Sequence, residues 1–387
     1  MSDTGGQGMI IGIPGEIATE ETRVALYPDL AADLTADGFD ICIQSAAGRA
    51  AGWTDDAYRD AGCTIVETRE AVFERADAIC QVRGLGASDA EPDQYREGQV
   101  VIGLLGPYGL DDTLGPLADR NVTAFALELI PRISRAQSMD ALSSMASIGG
   151  YKAALVAAES LPKLFPMQMT AAGTVRPAEV FVVGAGVAGL QAIATAERLG
   201  ASVRAYDIRP EVKEEVESLG ASFVELDLEA EDASDDEGHA QEQDEAFYEK
   251  QREMMHRVVA ESDVVITTAA IPGRPSPELV TADMIDGMDP GSVIVDLAAG
   301  GGGNCEPTEA NETVEYEGVT IHGPTNLPGT VPNTASKLYA NNATNFLKSI
   351  VEDGELAIDT DDEIVDATML THDGTIRNPH LEDEDDE

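Results

Sequence analysis

Short runs rich in branched aliphatic residues alternate with longer stretches of helical period along nearly the whole chain. In the first third the apolar runs fall at residues 9–14, 41–44, 78–82, 99–104 and 122–126, with amphipathic stretches at 28–37 and 111–118 between them. Alternation of buried strands with helices predicts βα units on a parallel sheet. A second set of runs follows at 180–183, 203–206, 222–225, 264–267, 292–296 and 319–321. Six strands with helices between them fit a doubly wound nucleotide-binding domain. Two longer helical patterns, 138–159 and 333–350, frame that set. The first is rich in Ala and Ser, with a Gly149-Gly150 pair that marks a close packing spot; the second returns the chain to the first domain.

The strand at 180–183 runs directly into Gly184-Ala-Gly186-Val187-Ala-Gly189, a G-x-G-x-x-G that opens a helix. Each glycine has a distinct physical role. Gly184 permits the tight turn, Gly186 lets the backbone approach a pyrophosphate, and Gly189 allows close helix–strand packing. The helix N-terminus adds N–H donors and a positive dipole end. The next strand ends in Asp207, 18 residues after Gly189. A carboxylate there accepts from ribose hydroxyls and repels a 2′-phosphate, which favours NAD over NADP, and Arg209 can soften that repulsion. The expected fold is therefore α/β, two Rossmann-like domains with parallel sheets joined by long helices, with residues 1–137 plus 333–387 in one domain and 138–332 in the other.

Residues 227–246 break the rhythm: they are polar and strongly acidic. A loop of this length inside a compact domain is either disordered or a functional lid. Acidity extends to the whole chain, with 72 Asp and Glu against 24 Lys and Arg, a net charge of −48. The carboxylates run from Asp3 to Glu387, which points to a surface solvated in concentrated salt, where screening relieves self-repulsion. With no basic stripe, nucleic acid is not an expected partner. Cys42, Cys63, Cys80 and Cys305 are far apart, and the five histidines form no metal-ligand spacing, so reduced thiols in a cytoplasm and no metal are expected. The N-terminus lacks the charged and apolar regions of a signal peptide. The most apolar uncharged run, 180–196, is short and holds the glycine turn, so no membrane span is expected.

Several stretches are more specific than a dinucleotide turn. Residues 131–144 (Pro-Arg-Ile-Ser-Arg-Ala-Gln-Ser-Met-Asp-Ala-Leu-Ser-Ser), 169–174, 183–190, 207–213 and 267–275 resemble the NAD(H)-binding component of proton-translocating transhydrogenases. Residues 293–299, 303–306 and 325–329 continue the likeness, which covers the chain from Ile10 to about Ile376. It implies a two-domain subunit that forms a homodimer and contacts a membrane-embedded subunit and an NADP(H)-binding component. It would thus lie at the cytoplasmic face of the membrane and pass a hydride directly between NAD(H) and NADP(H). Arg132, Gln137 and Asp140 are the implied contacts to the nicotinamide region, with Ile133, Ser134, Ser138 and Met139 lining the same loop. Gly184, Gly186, Val187, Gly189, Asp207, Ile208, Arg209, Gly238, Gln251 and Ala270 are the other implied nucleotide contacts. The acidic insertion resembles the family's mobile loop, but His239 and Gln243 stand where the family typically has Tyr and Met, which puts the closing contacts in doubt.

The chemistry is self-consistent, because hydride transfer between nicotinamides needs geometry and exclusion of water but no general acid or base. Two rivals remain. Alanine dehydrogenases resemble the chain at 12–17 and 23–26, yet their chemistry needs a Lys and a His, and residues 78–84 and 102–106 hold neither. No histidine precedes His239. The other rival is a protein that senses NAD(H) and catalyses nothing, which would have no use for Arg132, Gln137 and Asp140.

Overall fold

The computed structural model describes residues 8–88, 91–108, 110–225 and 245–377. Along the chain β1 (Ile10–Ile13), α1 (Pro28–Ala36), β2 (Asp40–Gln44), α2 (Asp55–Asp60), β3 (Thr64–Val66), α3 (Arg69–Arg75) and β4 (Ala78–Arg83) lead to β5 (Val100–Leu104), α4 (Asp111–Asp119) and β6 (Thr123–Ala126). A 3-10 turn over Ser134–Met139 precedes the long α5 (Ala141–Ser160). Next come the hairpin β7 (Gln168–Thr170) and β8 (Gly173–Val175), then β9 (Glu179–Val183), α6 (Val187–Leu199), β10 (Ser202–Tyr206), α7 (Lys213–Ser218) and β11 (Ser222–Phe223). They are followed by α8 (Glu245–Ala260), β12 (Val264–Thr267), α9 (Ala282–Ile285), β13 (Val293–Asp296), β14 (Thr313–Tyr316) and β15 (Val319–His322). The last stretch holds α10 (Pro332–Ser349), β16 (Val351–Glu352), β17 (Glu355–Leu356), α11 (Glu363–Thr368), β18 (Met369–His372) and β19 (Thr375–Ile376).

These elements form two compact units, Met1–Met145 with Gly329–Glu387, and Ala146–Pro328. The first unit has an eight-stranded sheet in the order β19-β18-β6-β5-β4-β1-β2-β3. Strands β1 to β6 pair in parallel, and β18 and β19 close one edge antiparallel. Two buried carboxylates cap strand ends here: Glu16 accepts from the Val82 and Arg83 amides, and Glu128 from those of Leu105 and Gly106. Burial pushes Glu16 up to about 7 and raises Glu128 as well.

The second unit has a seven-stranded sheet, β11-β10-β9-β12-β13-β15-β14, parallel except for the edge strand β14. The two faces of β9 separate cleanly, as a period of two requires. Val180 and Val182 pack with α5 and α6 through Ala153, Ala157, Ala192 and Ile193. Phe181 and Val183 pack with α8 and α9 through Met255, Val259, Met284 and Ile285. A sheet covered on both faces is why its strands read as unbroken aliphatic runs. The helix expected from residue 138 begins at Ala141, because Asp140 caps it: its carboxylate accepts from the Ser143 amide at 2.7 Å and hydroxyl at 2.6 Å. Of the paired glycines in α5, Gly150 is the packing spot, since a Cβ there would lie 1.9 Å from the Ala188 carbonyl oxygen, whereas Gly149 faces open space.

Candidate nucleotide-binding site

The glycine turn has the geometry that a dinucleotide needs. Gly184 sits at φ 93°, a left-handed conformation that disfavours any side chain. A Cβ on Gly189 would stand 1.8 Å from the Gly184 carbonyl oxygen, so the first turn of α6 can close on the strand only without one. Around Gly186 there is open space, and the first helical residue, Val187, is exposed beside it. The turn is braced from the neighbouring strand, where the Thr268 hydroxyl donates to the carbonyls of Val183 (3.3 Å) and Gly184 (3.1 Å).

Asp207 follows β10 and is 8% exposed. Its Oδ2 accepts from the Ala185 amide of the glycine turn at 2.7 Å and from the Arg209 guanidinium at 2.9 Å. Its Oδ1 accepts from the Arg209 amide and Nε, both at 2.9 Å. The hydrogen bond to Asp207 holds the Arg209 guanidinium above its ordinary pKa. Ile208, between them, is half-buried. Gln251 of α8 is buried and donates to the Tyr206 hydroxyl at 3.0 Å, one residue from Asp207. Ala270 is exposed just beyond β12. The second unit thus collects the turn, Asp207, Arg209, Gln251 and Ala270. Gly238, His239 and Gln243 lie outside the described residues.

Arg132, Ile133, Ser134, Gln137, Ser138, Met139 and Asp140 belong to the first unit, in and around the 3-10 turn. Gln137 and Ser138 are exposed, while Met139 is buried. The turn is held from beneath by α10, whose Asn342 and Asn345 amides both donate to the Ser138 carbonyl, at 2.9 and 3.0 Å. Arg135 clamps its side with a two-pronged ion pair to Asp362 at the start of α11. Neither anchor was legible in the sequence, because both partners lie some 200 residues away.

The described histidines are engaged elsewhere: His322 with Ser160 and Thr313, His372 with Thr123, and His256 beside Asp283. Among the described residues no cluster could hold a metal ion, and no helix is long and apolar enough to cross a membrane.

Comparison with known proteins agrees with this geometry. Residues 12–149 match the N-terminal domain of "Alanine dehydrogenase/PNT", and residues 153–379 match its C-terminal domain. The chain belongs to the alanine dehydrogenase/PNT family. Within that family it is 44% identical to an NAD(P) transhydrogenase subunit alpha of Rhodospirillum rubrum, over 96% of this chain and 99% of the relative. A solved transhydrogenase from Sinorhizobium meliloti superposes with a TM-score of 0.86 at 44% identity, over 95% of this chain and 99% of that one. A solved L-alanine dehydrogenase gives 0.80 at 26% identity, over 97% and 98%. The alanine dehydrogenase branch of the family is therefore the distant one, and the transhydrogenase alpha subunits are the near one.

Proposed function

We propose that this chain is the NAD(H)-binding subunit of a proton-translocating NAD(P) transhydrogenase. The observation that carries the reading is a complete dinucleotide turn with its carboxylate in a chain so near the transhydrogenase subunits over its full length. The fit to NAD(H) rests on the open cradle at Gly186 and on Asp207, buried and already aimed at the turn through Ala185. Bound there, NAD(H) supplies or accepts a hydride at its nicotinamide ring.

The residues of this chain bind and orient. Gly184, Gly186 and Val187 present backbone at the head of α6 to the pyrophosphate. Asp207 accepts from the adenosine ribose, with Ile208, Gln251 and Ala270 as further contacts. Arg132, Gln137 and Asp140, with Ile133, Ser134, Ser138 and Met139 around them, form the loop that meets the nicotinamide region and the NADP(H)-binding component. Gln137 can both donate and accept, which suits a contact to the second nucleotide. No group of this chain takes a proton, as direct hydride transfer demands none. The chain works as a homodimer, peripheral to the cytoplasmic face of the membrane through its membrane-embedded partner, in a salt-rich cytoplasm.

The reading is tested by mixing the purified chain with its NADP(H)-binding component in concentrated KCl and following reduction of an NAD analogue by NADPH. Turnover is expected, and Gln137→Ala should lower it about 100-fold or more while NADH binding persists. Absent turnover together with alanine-dependent NAD reduction would overturn the assignment. The exposed Gln137, on a turn gripped by two amides, supports the order of this expectation.

A further inference from the structure

We propose that Asn304 is a positioning residue for the nicotinamide half of the bound nucleotide, acting through the Ala269–Ala270 backbone. This rests on the NAD(H) reading above and extends it to a residue that would touch no ligand.

Strand order supplies the first step. In the second sheet the sequence order reverses at β9, with β10 and β11 on one side and β12 and β13 on the other. Ligands of doubly wound sheets lie at the carboxyl ends of the strands across such a reversal. Asp207 follows β10, so the adenosine ribose belongs to that side. The remainder of a dinucleotide then crosses the glycine turn to the ends of β12 and β13. Two loops stand there, 268–276 after β12 and 297–304 after β13.

Asn304 joins them. Its Oδ1 accepts from the Ala269 amide at 2.9 Å, and its Nδ2 donates to the carbonyls of Ala269 (2.7 Å) and Pro277 (2.8 Å). One side chain thus takes both polar groups of Ala269 and fixes the residue that precedes Ala270. Asn304 is 0% exposed and is itself anchored, because its amide donates to Asp296 Oδ2 at 2.7 Å. Asp296, also 0% exposed, accepts in addition from the Thr267 hydroxyl, the Ala298 and Cys305 amides and the Thr308 hydroxyl. Every one of these partners is on β12, β13 or the loop after β13.

The segment that Asn304 steadies has little else to hold it. Residues 270–275 are all exposed, Ile271 included, so apolar packing does not set their course. A tie made of hydrogen bonds to a buried carboxylate hub replaces that packing. It places the Ala270 backbone relative to the glycine turn, to which the adjacent Thr268 is bonded.

The test compares two ligands that differ only by the nicotinamide. Dissociation constants for NADH and ADP-ribose are measured on the wild type and on Asn304→Ala, with thermal melting to follow the fold. Loss of the tie should weaken NADH about 10-fold, the size of one or two lost hydrogen bonds, and leave ADP-ribose within about twofold. Equal weakening of both ligands, or no change in either, overturns the proposal. Thr267→Val, which keeps shape and removes one donor from Asp296, should show the same selectivity to a smaller degree. If Asn304→Ala does not fold, Thr267→Val alone decides, and weakening of both ligands alike again overturns the role. Failure of the wild type to bind NADH at all would instead overturn the NAD(H) reading.

Discussion

At the scale of single residues, Asp207 is saturated. A carboxylate offers about four lone-pair positions, and here the Ala185 amide, the Arg209 amide and two atoms of the Arg209 side chain fill them. A ribose diol can bond to this carboxylate only if the Arg209 side chain swings aside, while the two backbone donors stay. The guanidinium also dims the negative charge that excludes a 2′-phosphate. Arg209→Ala should therefore raise the ratio of the NADPH to the NADH dissociation constant by about 10-fold, which fluorescence titration at fixed KCl would read. An unchanged ratio would mean that Asp207 discriminates without regard to its neighbour. The carboxylate and the turn were legible in the sequence because the spacing from Gly184 to Asp207 carries the geometry. The saturation was not, since it depends on where a flexible arginine folds back. Asp296 and Asn304 escaped for a related reason: a buried polar hub has no periodicity, and only the glycines at 300–303, which let amides converge on one carboxylate, hint at it.

Among the elements, the hairpin β7–β8 is the one with no visible support. Its strands are three residues each and wholly exposed, and Met167, Met169 and Val175 are bare at 59%, 74% and 42%. A lone two-stranded hairpin is marginal in water, and its open edges invite pairing. It suits contact with a second copy of the chain, the homodimer proposed above. Met169→Lys with Val175→Lys should shift the protein toward monomer by at least about 10-fold in dissociation constant while leaving the melting profile of the monomer intact. Sedimentation equilibrium would measure it, and an unaltered dimer would place the interface elsewhere. The sequence marked residues 169–174 by resemblance but gave no sign of strands, because three residues cannot display alternation. The same brevity hid β3, β18 and β19, whose places are set by pairing with β2 and β6. The longer elements β9, α6 and α10 announced themselves because burial on one or both faces writes a period into the chain.

On the scale of the molecule, charge dominates. A net of −48 makes the folded chain repel itself, and few of the carboxylates are matched by cations, with only six lysines available. Screening length falls from about 10 Å at 0.1 M salt to about 3 Å at 1 M. The melting temperature should accordingly rise by about 10 °C or more between 0.1 M and 2 M KCl, as calorimetry would show. A flat response would deny that salt supports this fold. Within that soft electrostatic envelope one joint is hard. The first turn of α6 is pressed against the strand at Gly189 and against α5 at Gly150, in both places through bare backbone. No side chain lies between to bend or change rotamer, so a strain carried along α5 arrives at the phosphate-binding turn undamped. The two glycine contacts make that end of α6 a fulcrum, and the twenty-residue α5 its lever.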